Sequence, residues 1–191
     1  AKLMDRFVLM RTVNHNVVDE HAAATNRMHT GRPTSGTIVY PSIGSVVAHE
    51  RGKANAGMPA YVVMGYPNLT RGPGFLGAKN GYIYLTDTKA GPEGLARLKE
   101  INSARMSDRE RLLEKVRGEF LKRNPLDKKI AGYDAAIDEA LALGRGEFRS
   151  AFNLKTEPDA LRNEYGDEFG QRCLLARRLV QRGARFIEVS F

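Results

Sequence analysis

Asn14-His15-Asn16-Val17-Val18-Asp19-Glu20-His21 gathers imidazoles, carboxylates and amides into one short stretch. These groups move protons and bind divalent ions, the tools needed to cleave a phosphate or sulfate ester. His15, Asp19 and His21 are the candidate catalytic residues, and Asn14 is a candidate for holding substrate. No single helix face would present His15 and His21 together, so a loop must turn between them if both act on one ligand. The plain alternative is that His21 only starts a helix and His15 satisfies loop carbonyls. Downstream, Thr30-Gly31-Arg32-Pro33 offers a glycine turn beside a guanidinium, a corner suited to an anion, with Arg32 as the second substrate-binding candidate. Its plain reading is a helix end with its stop signal.

Other reactive side chains carry less. His29 is expected on the helix surface or packed under a loop, and His49, next to Glu50 and Arg51, on the surface. Gly72-Pro73-Gly74-Phe75-Leu76-Gly77 lacks the Lys-Ser/Thr that completes a phosphate-binding loop, so it reads as a structural loop. Cys173 is the sole cysteine, which excludes an intrachain disulfide, and its apolar setting predicts a small buried hydrophobe.

These residues need elements to position them. Arg6–Val13 is apolar and β-branched and reads as a buried strand. Asp19 is placed to cap a helix over His21–His29, with Gly31 ending it. The reactive loop would then lie at the C-terminal end of a strand, where open α/β sheets bind ligands. Pro41–His49 predicts a second helix starting at Pro41 or Ser42, and Ala60–Met64 a second strand. A glycine-rich loop follows, then a short strand or extended segment over Tyr82–Leu85. From Pro92 the texture turns helical, with Leu95, Leu98 and Ile101, then Leu112, Leu113, Val116 and Phe120. Ser107, with Glu110 three residues on, has the spacing of a helix cap. Asn124-Pro125 breaks the run. Tyr133–Leu141 forms another apolar face ended by Gly144, and Asp159–Tyr165 and Phe169–Arg182 follow as helices. The chain closes on a strand over 185–191. Strands alternating with helices predict an α/β fold with a mainly parallel sheet, and 92–165 reads as a helical insertion or cap.

The chain of 191 residues is long enough to bury a core. Its 30 Lys plus Arg exceed 22 Asp plus Glu, but the two signs interleave, as in Arg105-Met106-Ser107-Asp108-Arg109-Glu110-Arg111. That is the pattern of a solvated helix face, and no nucleic-acid-binding motif accompanies it, so no nucleic-acid partner is expected. No run approaches the roughly 18–20 apolar residues of a membrane span. The chain starts without Met and stops in a strand-like run, which reads as the middle of a longer protein.

His15-Asn16-Val17-Val18-Asp19-Glu20-His21-Ala22-Ala23-Ala24, Met28-His29-Thr30-Gly31-Arg32-Pro33, Pro41-Ser42-Ile43-Gly44-Ser45-Val46, Gly74-Phe75-Leu76-Gly77 and the closing Tyr165–Gly183 segment resemble, in order and spacing, a sulfatase-like family known as domain of unknown function 1501. The resemblance implies an alkaline phosphatase-like fold, with residues 1–191 as the central part of one domain. It implies a metal-dependent phosphate- or sulfate-ester hydrolase acting on a small-molecule or polysaccharide ester. The divalent metal (zinc, calcium or manganese) would belong to the full-length parent, with His21 contributing and none bound by this chain alone. Partner segments on both sides would complete the site. The resemblance also implies an exported, periplasmic or extracellular parent, although this chain shows no export signal. Sulfatases place a modifiable cysteine or serine at the start of the helix that ends in Thr-Gly-Arg. That place falls near His21, where neither stands, and Thr25 is the nearest hydroxyl. The competing expectation is therefore a non-catalytic binding or scaffolding protein on the same fold.

Overall fold

The computed structural model describes residues 4–6, 8–55, 57–65, 69–86, 88, 101–144 and 147–190. The expected helical positions Leu95 and Leu98 lie outside them. Three short strands, β1 (Tyr61–Met64), β2 (Ile83–Leu85) and β3 (Phe186–Val189), form a parallel sheet in the order β2-β1-β3. Val63 lies opposite Tyr84 on one side and Glu188 on the other. The parallel α/β arrangement expected from alternation is thus present.

β1 is Tyr-Val-Val-Met because it is covered on both faces, and all four residues are buried. Alternation divides its side chains. Val62 and Met64 join a larger core with Leu143, Phe148, Leu174, Leu175 and Leu179. Tyr61 and Val63 face the other way, against Ala48, Tyr82, Tyr84 and Phe186. Each fully buried aliphatic chain contributes roughly 1.5–3 kcal/mol. The first face is covered by α5 (Glu147–Ala151) and α7 (Glu168–Gln181), the second by α2 (Ile43–Arg51). Gly44 is required in α2 because a Cβ there would meet the Tyr61 ring at 2.3 Å.

The helices follow local chemistry closely. α1 (His21–Thr30) ends at Gly31 with φ 68°, and α2 begins at Ser42, whose hydroxyl accepts the Ser45 N–H. α3 (Ser103–Arg123), α4 (Lys128–Leu143), α5 and α6 (Asp159–Tyr165) all fall between β2 and β3 in the chain. Arg117 joins α3 to α4 by bonding Asp134 Oδ1 at 2.6 Å and Asp138 Oδ1 at 2.7 Å.

Three local readings are corrected. The strand expected over Arg6–Val13 is absent: residues 8–13 are irregular, and Val8, Leu9, Met10 and Val13 are exposed. A strand needs a hydrogen-bonding neighbour, and none of the described strands pairs with this run. The α1 cap is Glu20, whose carboxylate accepts the Ala22 and Ala23 N–H groups at 2.9 and 2.5 Å, rather than Asp19. Asp19 instead takes a positive φ of 53° and turns the chain into the helix. Ser107 caps nothing, because α3 already starts after Asn102, which accepts the Arg105 N–H. The Ser107 hydroxyl donates back to Ser103 O at 3.1 Å. Cys173 is half-buried on α7.

The lower core is tied by charge. Arg178 is buried and donates to Ala151 O (2.7 Å), Ser150 O (3.2 Å) and Glu157. The Arg177 and Arg178 guanidiniums hold the Glu157 carboxyl below its ordinary 4.5. A depressed carboxyl stabilises the fold above its unfolded value, and that contribution disappears as pH falls through the lowered folded value. Urea midpoints are therefore expected to drop below about pH 4.5 in the wild type. Glu157→Gln removes part of that drop, and identical acid limbs in the two proteins would refute the assignment.

Candidate functional site

Two neighbouring polar groups flank α1. The first is an open cavity of about 550 Å³ lined by Val13, Asn14, His15, Asn16, Arg27, Met28 and Gly31. The loop before α1 supplies the amides and the imidazole, and the last turns of α1 supply Arg27. His15 Nδ1 accepts the Val17 N–H at 3.3 Å. In the neutral ring that puts the proton on Nε2, leaving it a donor. Arg27 donates to Asn16 Oδ1 at 3.3 Å, and its Nε is buried with no partner among the described residues. The cavity lining thus carries nitrogen donors and no carboxylate.

The structure brings Asn14 and His15 together here. It does not bring the other expected residues to this cavity. His21 begins α1 and is exposed, and Asp19 is exposed in the preceding turn. Arg32 lies beyond the Gly31 cap, with its guanidinium 5.9 Å from the centre of the Tyr40 ring. His49 is on the surface beside Glu50, as expected. Among the described residues no three His, Cys, Asp or Glu side chains group closely enough to hold a metal.

The second group sits at the C-terminal edge of the sheet and is centred on His29, Thr70, Arg71 and Glu188. His29, in the last turn of α1, packs under the turn Leu69–Arg71 that follows β1. Its Nδ1 lies 2.6 Å from Thr70 Oγ1 and its Nε2 3.3 Å from Glu188 Oε1. Arg71 Nε donates to the same Glu188 oxygen at 2.5 Å, and Arg71 also donates to Ser190 Oγ at 2.8 Å. Tyr61 OH donates to Glu188 Oε2 at 3.1 Å. The backbone explains the assembly: Phe186 and Glu188 share the sheet face of Tyr61 and Val63. Ser42, the α2 cap, holds the turn by donating its hydroxyl to Arg71 O (2.8 Å) and its N–H to Gly72 O (3.0 Å).

Protonation in this cluster follows from burial. Burial lowers the His29 pKa below its ordinary 6.5, Glu188 opposes that, and Arg71 adds to it. His29 is therefore neutral near pH 7, and its Nε2 approaches Glu188 at 3.3 Å without a hydrogen bond between them. In the tautomer with its proton on Nε2, His29 accepts at Nδ1 from the Thr70 hydroxyl. Burial also pushes the Tyr61 phenol up, so it stays a donor to Glu188.

Sequence reasoning passed over Arg27, Thr70, Arg71 and Glu188. Glu188 had a signal: it is the one charge in Phe186-Ile187-Glu188-Val189, an otherwise apolar strand. The others have none, because their role depends on a pairing between distant parts of the chain. No curated protein and no solved structure matches the chain. The family described as a protein of unknown function, DUF1501, matches over residues 1–191, and the chain belongs to that family.

Proposed function

We propose that the cavity beside α1 binds the charged group of a phosphate or sulfate ester, as part of a sulfatase-like ester hydrolase on an alkaline phosphatase-like fold. The observation that carries the reading is the lining: Asn14, His15, Asn16 and Arg27 offer donors and a cation with no acidic side chain. A guanidinium beside amide donors is the chemistry that recognises a tetrahedral oxyanion.

A metal fits these residues poorly. The lining has one imidazole and no carboxylate, and Asp19 and His21 do not line it. In the hydrolase reading a zinc, calcium or manganese ion takes ligands from outside this chain, and no step is assigned to it here. The same observation favours a second reading, a binding or scaffolding protein that holds an anionic ester without cleaving it. An exported location belongs to the hydrolase proposal.

Titration of the full chain with sulfate or phosphate, followed by calorimetry, tests the reading. Saturable binding is expected, and Arg27→Ala should cost about 1.5–3 kcal/mol, a roughly 10- to 150-fold weaker Kd. Binding that chloride abolishes equally, or that Arg27→Ala leaves unchanged, would overturn it. Saturable binding without turnover of p-nitrophenyl phosphate or sulfate, with or without added zinc, calcium or manganese, selects the second reading.

A further inference from the structure

We infer that Thr70, His29 and Glu188 form a nucleophile–base–carboxylate relay able to transfer an acyl group from a carboxylic ester to the Thr70 hydroxyl. This activity is independent of the anion cavity and uses none of its side chains. A hydroxyl is a weak nucleophile until a neighbouring base accepts its proton, and the base works best when a third group fixes its tautomer. Hydroxyl and base are in hydrogen-bond contact, and a carboxylate stands next in line to act on the base by its charge. Thr70 Oγ1 lies 2.6 Å from His29 Nδ1, and His29 Nε2 lies 3.3 Å from Glu188 Oε1. Tyr61 and Arg71 hold the carboxylate in place from either side. Thr70, His29 and Glu188 are all half-buried, at the C-terminal edge of the sheet.

The cluster's charge selects the substrate class. Arg71 is engaged with Glu188 and Ser190, and a carboxylate sits at the far end of the relay. A doubly charged phosphoryl group would face that carboxylate, whereas a carbonyl carbon carries no net charge. Thr70 Oγ1 bonds the carbonyl carbon while its proton passes to His29 Nδ1. The ester C–O bond then breaks, and the leaving alkoxide takes the proton from His29 and departs as an alcohol. Water, losing a proton to the same Nδ1, attacks the acyl-threonine. The acid leaves and Thr70 recovers its hydrogen. The transient imidazolium is stabilised by Glu188, which acts as a positioning residue.

The test is a fluorophosphonate probe, in which Thr70 Oγ1 would bond phosphorus and displace fluoride, read by intact mass and peptide mapping. The assay is paired with turnover of p-nitrophenyl acetate. Expected results are a single adduct on Thr70, retention in Thr70→Ser, and at least a 100-fold lower acetate turnover in Thr70→Val and in His29→Gln. In Glu188→Gln the pH midpoint of turnover should fall. His29 is then faced by Arg71 without the opposing carboxylate, and a purely structural Glu188 would not move that midpoint. Circular dichroism on Thr70→Val, which keeps the side-chain shape, separates lost chemistry from lost fold. No adduct, an adduct on another residue, or equal turnover in a folded Thr70→Val protein would overturn the relay.

Discussion

Gly170→Ala is expected to lower the thermal midpoint by about 6–12 °C, the equivalent of about 3 kcal/mol in a chain of this size. Gly170 lies in the first turn of α7, where a Cβ would stand 1.6 Å from Tyr165 O and 2.6 Å from Tyr165 C. Both are backbone atoms, so no side-chain rotation relieves the overlap. The corner between α6 and α7 must open, and α7 carries Leu174, Leu175 and Leu179 into the main core. The control is Gly118→Ala in α3, where an added Cβ meets nothing within 4 Å. There the same change should stabilise by about 0.5–1 kcal/mol, because alanine loses less backbone entropy in a helix. Differential scanning calorimetry on both proteins decides the matter. Equal shifts would mean that the α6–α7 corner is not closed as described.

Glu188→Ala should cost about 3 kcal/mol in urea unfolding, seen as a lower midpoint at unchanged m value. Two donors, Arg71 and Tyr61, bond this carboxylate, and His29 Nε2 lies 3.3 Å from it. Arg71 is buried, so removing its carboxylate strands a cation away from water. The figure sits at the low end for a broken pair because about a fifth of the Glu188 side chain, 22%, remains exposed. Glu188→Gln retains an acceptor for Tyr61 or Arg71 and should cost less, about 1–2 kcal/mol. A Glu188→Ala protein within 0.5 kcal/mol of wild type would show that the cluster does not hold α1 and the Leu69–Arg71 turn to the sheet.

The helices were legible because their signals are local. Gly31, Ser42, Asn124, Gly144 and Gly183 mark boundaries within about a residue of those observed, and apolar spacing marks the faces between them. The parallel sheet was legible from alternation, since β1, β2 and β3 fall on the expected segments. Arg6–Val13 was misread for the opposite reason. Its β-branched composition is compatible with a strand, but a strand exists only when another supplies hydrogen bonds, and composition says nothing about that partner. Asp19 and Ser107 show the same limit at smaller scale: each is a good cap residue, displaced by a neighbour that starts the helix one position later or several earlier.

The site was half legible. Chemistry-rich residues crowd the loop before α1, and Asn14 and His15 do line a cavity there. The His29 cluster was not legible, because its members arrive from α1, the turn after β1, and β3. His29 was expected on the helix surface or packed under a loop, without its partners, and Thr70 and Arg71 fell in the glycine-rich loop. Only the strand register that puts Glu188 beside Val63 makes them one group.

The strand order also sets a timetable for synthesis. Tyr61 of the central strand bonds Glu188 of its β3 neighbour across 127 residues of chain. At a ribosomal pace of about 5–20 residues per second, β1 waits roughly 6–25 seconds for that neighbour. Through that interval Val62 and Met64 lack the α7 leucines that later cover them. The half-built pair has the exposed edge and greasy face that chaperones bind, so the nascent chain must be shielded until β3 emerges.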